Sequence, residues 1–362
     1  MTQVNLDDSQ VVKNTHNGEI VLKSITAFPD QCLQAWSEAS MLKFPAEYKQ
    51  VKNILVCGMG GSRFTPIIIK ELFKEEIDLP YVINDNYTLP KFVSSETLVI
   101  LSSYSGTTEE VIYCGQEAQK MGAKITGLCL GGPLAEFFKS HRLPAYIFDA
   151  KHNPSGQPRI GVGYMTAGHM GLLYASSFLK ISPQKVDQAL NKLPQLLVNF
   201  HQSIPTIQNP AKHMAQNLFG KYPYYVTAEH LQGIGNAMGN QTNETAKAIS
   251  SYRYIPELNH HLMEGLKFPE VLKQIGIFVF FTSSLYDRRI QVRFDITREV
   301  VEKNGLQTLE YKLQGQNKIE QALELIGFSS FMTMYLSLLY QQDPSVVPWV
   351  DYFKKRLKEL SK

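Results

Sequence analysis

Short apolar runs that alternate with longer amphipathic stretches constrain the fold of this chain more than any other feature of its sequence. The runs at 53–57, 97–101 and 124–130 have the length of buried strands, and a stretch of helical periodicity follows each of them. Strands that alternate with helices in this way form a parallel sheet with helices on both faces. The sequence therefore predicts an α/β protein of the doubly wound type.

The alternation restarts in the second half of the chain, with strand-like runs at 222–227, 275–281 and 308–313. A chain of 362 residues is longer than one ordinary domain. We therefore expect two α/β domains, each with its own sheet. The first would span 1–182, including an N-terminal segment, and the second 183–362, ending in an amphipathic helix.

Composition excludes several classes of function. The net charge is +3, from 36 basic and 33 acidic residues, and the basic residues are spread out rather than clustered as in a nucleic-acid site. The four cysteines show no CxxC spacing, so neither a metal site nor a disulfide framework is expected. The polar N-terminus lacks a secretory signal, and the apolar runs at 275–281 and 323–340 fall short of a clean membrane span. We expect a cytoplasmic protein.

Two predicted strand-to-helix turns are rich in glycine and hydroxyl side chains. Ligands of open parallel sheets lie at the carboxyl ends of the strands, where helix N-termini offer free N–H groups that suit a phosphate. Gly60 and Gly61 in the first turn allow close backbone approach. The hydroxyl donors of the two turns are Ser62, Ser103, Ser105 and Thr108.

These turns lack the standard nucleotide motifs. Gly58 and Gly60 begin a dinucleotide fingerprint, but its sixth position is Arg63, and no GxxxxGK[ST] sequence is present. The hydroxyl groups favour a small monophosphate ligand over a nucleotide. Turns with a purely structural role are the alternative.

A carboxylate and an imidazole lie in a polar stretch between apolar neighbours. Glu244 falls in a helix predicted over 231–250, and His260 follows a short extended piece and Pro256. Such a pair can move protons between carbon and oxygen near neutral pH. The alternative is a solvated helix face and a loop histidine.

Five short motifs, in one order over roughly residues 50–357, resemble the bifunctional phosphoglucose/phosphomannose isomerases. These belong to the phosphoglucose isomerase superfamily and are built from two sugar isomerase (SIS) domains. The motifs are Gly58–Ser62, Ser103–Thr108, Asn243–Lys247, Pro256–His260 and Asp343–Pro348. The chain departs from the family pattern at Arg63, Thr245, His261 and Ser345.

The resemblance implies a role for each matching residue. It places phosphate and substrate contacts in the two turns, at Gly60, Gly61, Ser62, Ser103, Ser105 and Thr108. Glu244 would be the catalytic base and Arg159 would offset the charge of the intermediate. His260 would open the sugar ring with help from Lys354, and Ser345 would be a small hydroxyl near C2 that permits both sugars.

The implied reaction interconverts glucose 6-phosphate, and mannose 6-phosphate, with fructose 6-phosphate through a cis-enediol. It requires no cofactor and no metal, and the family arrangement implies a homodimer in which His260 reaches the neighbouring subunit's site. One alternative is the isomerase module of a ketose-phosphate amidotransferase, which would need a glutaminase domain with an N-terminal cysteine. Another is a non-catalytic sugar-phosphate-binding regulator, which would not need Glu244 together with His260.

Overall fold

Helices and strands alternate along the chain as the sequence predicts. The computed structural model describes residues 4–360. The strands are β1 (Asn53–Gly58), β2 (Tyr81–Asn84), β3 (Thr97–Ser102), β4 (Lys124–Cys129), β5 (Tyr146–Ile147), β6 (Tyr222–Ala228), β7 (Ser251–Ile255), β8 (Gly276–Thr282) and β9 (Gln307–Lys312). The helices are α1 (Gln10–Asn14), α2 (Gly18–Thr26), α3 (Phe28–Ala39), α4 (Gly61–Leu72), α5 (Glu109–Lys120), α6 (Gly132–Ser140), α7 (Val162–Ala175), α8 (Pro183–Leu197), α9 (Pro210–Leu218), α10 (Gln232–Thr245), α11 (Leu272–Ile275), α12 (Arg288–Lys303), α13 (Lys318–Leu339) and α14 (Pro348–Leu360).

The strands form two sheets in which all neighbouring pairs are parallel. The first sheet has the order β2-β1-β3-β4-β5 and the second has the order β7-β6-β8-β9. The predicted fold class, two parallel sheets flanked by helices, is thus confirmed. In the first sheet the chain leaves β1 and β3 in opposite directions, which opens a crevice at their carboxyl ends.

Both faces of the first sheet are covered, which explains why its central strands are uniformly apolar. Residues 98–101 of β3 are 0% exposed, so no polar alternation remains in the strand. Burial of such a strand is driven by removal of apolar surface from water, at about 25 cal/mol per Å². The buried strands hold the turns that follow them in fixed positions.

Helix α13 differs from the sequence expectation for the run at 323–340. Over its 22 residues it is long and apolar enough to cross a membrane, with a mean hydropathy of 1.5. Residues 319–339 are nevertheless all buried inside the protein, as in a core helix. Its apolar character is explained by protein neighbours on all sides.

The helix that carries Glu244 is shorter than predicted. It ends at Thr245 rather than continuing to residue 250, because Lys247 takes a left-handed backbone conformation with φ of 57°. Residues 251–255, predicted only as an extended piece, form β7 and pair with β6. Pairing with a distant strand, rather than local propensity, makes this segment a strand.

Helix α14, the amphipathic helix predicted at the end of the second domain, exposes its apolar side. All its side chains are exposed, including Trp349 at 81% and Phe353 at 62%. An exposed apolar helix face of this kind marks an interaction surface. Lys354 lies on this helix.

Candidate active site

The two predicted phosphate turns lie side by side. Gly58 at the end of β1 is the register partner of Ser102 at the end of β3. Ser102 Oγ donates to the Ser62 carbonyl at 2.9 Å, and Tyr104 N donates to Ser62 Oγ at 2.9 Å. These bonds tie the turns together, so their hydroxyl groups share one edge of the sheet.

Each turn leads into a helix N-terminus. Helix α4 follows Gly60, whose φ of 50° favours glycine, and a Cβ atom there would meet nothing within 4 Å. Helix α5 follows Thr108, whose hydroxyl lies 2.8 Å from Ser103 Oγ and does not cap the helix. N–H groups in the first turn of a helix have no intrahelical partner and can face an anion, although Ser62 N and Arg63 N in α4 donate to the carbonyls of Met59 and Gly60 at 3.0 Å.

The second turn contains a hydroxyl that the sequence analysis did not single out. Thr107 Oγ1 lies 2.8 Å from Ser105 Oγ, and both side chains are exposed. Ser103 is buried below them and accepts a bond from Gly106 N at 3.1 Å. The turn thus offers exposed hydroxyls supported by a buried one.

Arg159 connects the turns to the rest of the site. Its side chain is 2% exposed. A Cβ atom on Gly61 would lie 4.0 Å from the Arg159 backbone nitrogen, and Gln241 Nε2 on α10 donates to the Arg159 carbonyl at 3.1 Å. The first turn, Arg159 and the last turns of α10 therefore meet.

The Arg159 guanidinium makes four hydrogen bonds to protein acceptors and one longer ion-pair contact. Nε donates to Thr245 Oγ1 at 3.0 Å, and Nη1 lies 3.2 Å from Gln157 Oε1 and 3.5 Å from Glu244 Oε2. Nη2 donates to the carbonyls of Pro344 at 2.5 Å and Ser345 at 2.8 Å. The contact with Glu244 is the longest of these, so that donor is the one most easily shared with a ligand.

Glu244 has the properties of a general base. Its side chain is 34% exposed, in the last turn of α10. Burial raises its pKa, while the charges of Arg159, Lys247 and Lys354 act in the opposite direction. A carboxylate with a raised pKa is a stronger base than one in water and suits proton abstraction near neutral pH.

His260 is the predicted site residue that lies apart from this cluster. It is exposed on a short 3₁₀ helix, Glu257–His260, next to the edge strand β7. Within residues 4–360, no hydrogen bond or ion pair joins His260 to Glu244 or Arg159. The neighbouring His261 instead forms an exposed pair with Glu257, at 2.9 Å.

Ser345 already has partners for its hydroxyl group. It is 7% exposed, donates to Asp343 Oδ1 at 2.7 Å and accepts from Asn17 Nδ2 at 3.0 Å. Burial would raise the pKa of Asp343, but hydrogen bonds from His16, Ser345 and Asn17 lower it to about 2. Asn17, which sequence reasoning missed, thus helps to hold the turn whose carbonyls receive Arg159.

The described part of the chain contains no cluster of three His, Cys, Asp or Glu side chains placed to hold a metal ion. Its four cysteines are free and buried. The side chains that meet in the cluster are a carboxylate, a guanidinium, an ammonium and hydroxyl groups.

Comparisons with known proteins identify similar sequences and folds. Residues 207–357 match a family described as the bacterial phospho-glucose isomerase C-terminal SIS domain. The bifunctional phosphoglucose/phosphomannose isomerase of Caldicellulosiruptor bescii is 27% identical, over 94% of this chain and 99% of that protein. The enzyme of the same name from Aquifex aeolicus is 27% identical, over 85% of this chain and 91% of its own.

The fold extends to more distant proteins. The C-terminal domain of glucosamine-fructose-6-phosphate aminotransferase from Francisella tularensis superimposes with a TM-score of 0.72 at 10% identity, over 90% of this chain and 98% of that one. At this identity only the fold is shared, so the fold alone does not separate isomerase from amidotransferase. The sequence matches over most of the chain do separate them, because this chain is similar there to proteins named bifunctional phosphoglucose/phosphomannose isomerase.

Proposed function

We propose that this protein is an aldose–ketose isomerase that interconverts glucose 6-phosphate, and mannose 6-phosphate, with fructose 6-phosphate through a cis-enediol intermediate. The observation that carries the proposal is the contact between Glu244 and the buried Arg159. Burial raises the pKa of Glu244, and the pair lies beside two helix N-termini lined with hydroxyl groups. That combination provides a base, a cation and an anion cradle within one crevice. The relatives that share the sequence over most of its length carry the same activity in their names.

The proposed reaction moves one proton between two carbon atoms. The substrate phosphate lies in the two turns, at Gly60, Gly61, Ser62, Ser103, Ser105 and Thr108. Glu244 removes the proton from C2 and returns it to C1. Arg159 stabilises the enediolate through the Nη1 donor that faces Glu244, because this donor has the longest protein contact. Proton transfer of this kind needs no cofactor or metal.

Ring opening is assigned to His260 with assistance from Lys354. The exposure of His260 supports an arrangement in which it enters the site of a neighbouring subunit in a homodimer. The exposed apolar residues of α14 supply a surface for such an assembly. The proposal includes a first SIS domain over 1–182, a second over 183–362, and a cytoplasmic location.

A coupled assay tests the proposed function. The protein is incubated with fructose 6-phosphate, and formation of glucose 6-phosphate and of mannose 6-phosphate is followed separately. Turnover of both sugars is expected. Tight binding of fructose 6-phosphate by calorimetry without turnover would favour a sugar-phosphate-binding regulator, and product formation that requires glutamine would favour an amidotransferase.

The phosphate turns are tested by removing their hydroxyl groups. Ser103→Ala and Thr108→Ala are expected to raise KM several-fold more than they lower kcat, because phosphate contacts are nearly equal in ground and transition states. Steady-state kinetics over a full substrate range measure both constants. Ser140→Ala, which removes an exposed hydroxyl bonded within its own helix at 3.1 Å, is the control. A large loss in kcat at unchanged KM would contradict a binding role.

The shared site is tested by mixing two inactive variants. Glu244→Gln and His260→Ala chains, unfolded and refolded together, are expected to regain activity because one hybrid site per mixed dimer contains both native residues. Each variant refolded alone is the control. If mass measurement at assay concentration showed a monomer and that monomer were fully active, the shared site would be contradicted.

A further inference from the structure

Lys247 contacts the backbone of Glu244 and has no assigned role in the proposed reaction. We propose that Lys247 is a positioning residue, whose ammonium group fixes the end of α10 and supplies positive charge that keeps the Glu244 carboxylate ionised. This inference rests on the proposed function, in which Glu244 is the base. It identifies a residue that acts on the base without touching the substrate.

The contact geometry places the ammonium on the backbone of the catalytic residue. Lys247 Nζ donates to the Glu244 carbonyl at 2.6 Å and lies 3.3 Å from the Thr245 carbonyl. The last carbonyls of a helix have no intrahelical partner and carry its negative dipole end, so a cation there is favourable. The side chain of Lys247 therefore holds the turn of backbone from which the Glu244 carboxylate projects.

The backbone conformation of Lys247 supports a specific role for its side chain. Its φ of 57° lies in the left-handed region, where helix ends most often have glycine. A residue with a Cβ atom carries a steric cost in this region that glycine does not. Glycine would end the helix without this cost but would have no ammonium to offer the two carbonyls.

The charges around Lys247 couple it to the same carboxylate. Burial and the neighbouring Arg159 lower the pKa of Lys247 to about 8, while Asp343 and Glu244 act in the opposite direction. For Glu244, burial raises the pKa, and Arg159, Lys247 and Lys354 oppose that rise. Below about pH 8, Lys247 is therefore charged and increases the ionised fraction of Glu244 at a given pH.

Replacing Lys247 by an uncharged residue of similar length tests the proposal. Lys247→Met retains the Cβ atom and therefore the backbone strain, but loses both the charge and the donor. The pKa of Glu244 should rise, so the acid limb of kcat/KM against pH should move to higher pH and kcat/KM should fall several-fold at a pH on that limb. KM for fructose 6-phosphate should stay nearly constant at pH 8, because Lys247 contacts no substrate.

Two further variants separate this role from general stability. Lys247→Arg keeps a cation and donors and should return the acid limb to within a few tenths of a pH unit of wild type. Lys221→Met is the matched control, because Lys221 Nζ also donates to a carbonyl at a helix end, that of Gln274 at 2.8 Å. The dependence of kcat/KM on pH should be the same for Lys221→Met as for wild type.

A titration independent of activity distinguishes failure of this inference from failure of the proposed function. The ¹³C carboxyl signal of Glu244, assigned with Glu244→Gln, should titrate at higher pH in Lys247→Met. An inactive wild type with this shift would refute the isomerase but retain the electrostatic role. A folded Lys247→Met with an unmoved titration would overturn the inference. If that variant does not fold, Lys247→Gln, neutral but still a donor, must show the same upward shift.

Discussion

Glu244→Gln should reduce isomerisation by on the order of 10²–10⁴-fold while leaving sugar-phosphate binding intact. An amide of the same shape can keep the contact with Arg159 but cannot accept the C2 proton. The burial that raises the pKa of Glu244 makes the ionised carboxylate a stronger base, so its loss should fall mainly on kcat. Coupled kinetics and calorimetry with fructose 6-phosphate measure the two properties separately.

Two controls sharpen this prediction. Glu257→Gln removes an exposed carboxylate that pairs with His261 outside the cluster, and it should retain wild-type turnover. Glu244→Asp keeps the charge on a side chain that is one methylene shorter. Its turnover should lie between those of wild type and Glu244→Gln. If Glu244→Gln retained more than about a tenth of wild-type turnover, the base would have to be another group.

Arg159→Lys should combine a large kinetic loss with a large loss of stability. A lysine lacks the planar fork needed to reach Thr245, Glu244 and the carbonyls of Pro344 and Ser345 together. We expect kcat/KM to fall at least about 10²-fold, as when one donor to a developing oxyanion is removed. The buried acceptors that lose their donors should lower the free energy of unfolding by roughly 1–3 kcal/mol.

A surface arginine provides the matched control for Arg159. Arg298 donates to Glu310 at 2.7 Å, and both side chains are 40% exposed. Arg298→Lys should change stability by about 1 kcal/mol or less and leave activity unchanged. Denaturant unfolding and steady-state kinetics of both variants make the comparison. Arg159→Lys with wild-type stability and activity would refute the central role given to this guanidinium.

The alternation of apolar runs and amphipathic stretches was sufficient to predict both parallel sheets and the two turns at the ends of β1 and β3. The length and periodicity of each strand and helix are local properties of the sequence, and their alternation limits how the strands can pair. Their glycine and hydroxyl residues, such as Gly60 and Ser103, also predict an anion site, because helix N-termini follow strands at fixed places in this fold. The resemblance then supplied roles that periodicity alone could not assign.

Only the tertiary structure revealed the network around Arg159. Its acceptors come from α10 and from the turn at Pro344, while Asn17 near the N-terminus holds that turn through Asp343. No local pattern marks such contacts, since each depends on where distant segments pack. For the same reason, the premature end of α10 and the pairing of β7 were missed, because a left-handed residue and a distant partner strand override helical periodicity. The sequence by itself determined which chemical groups this protein carries, and packing decided which of them meet Glu244.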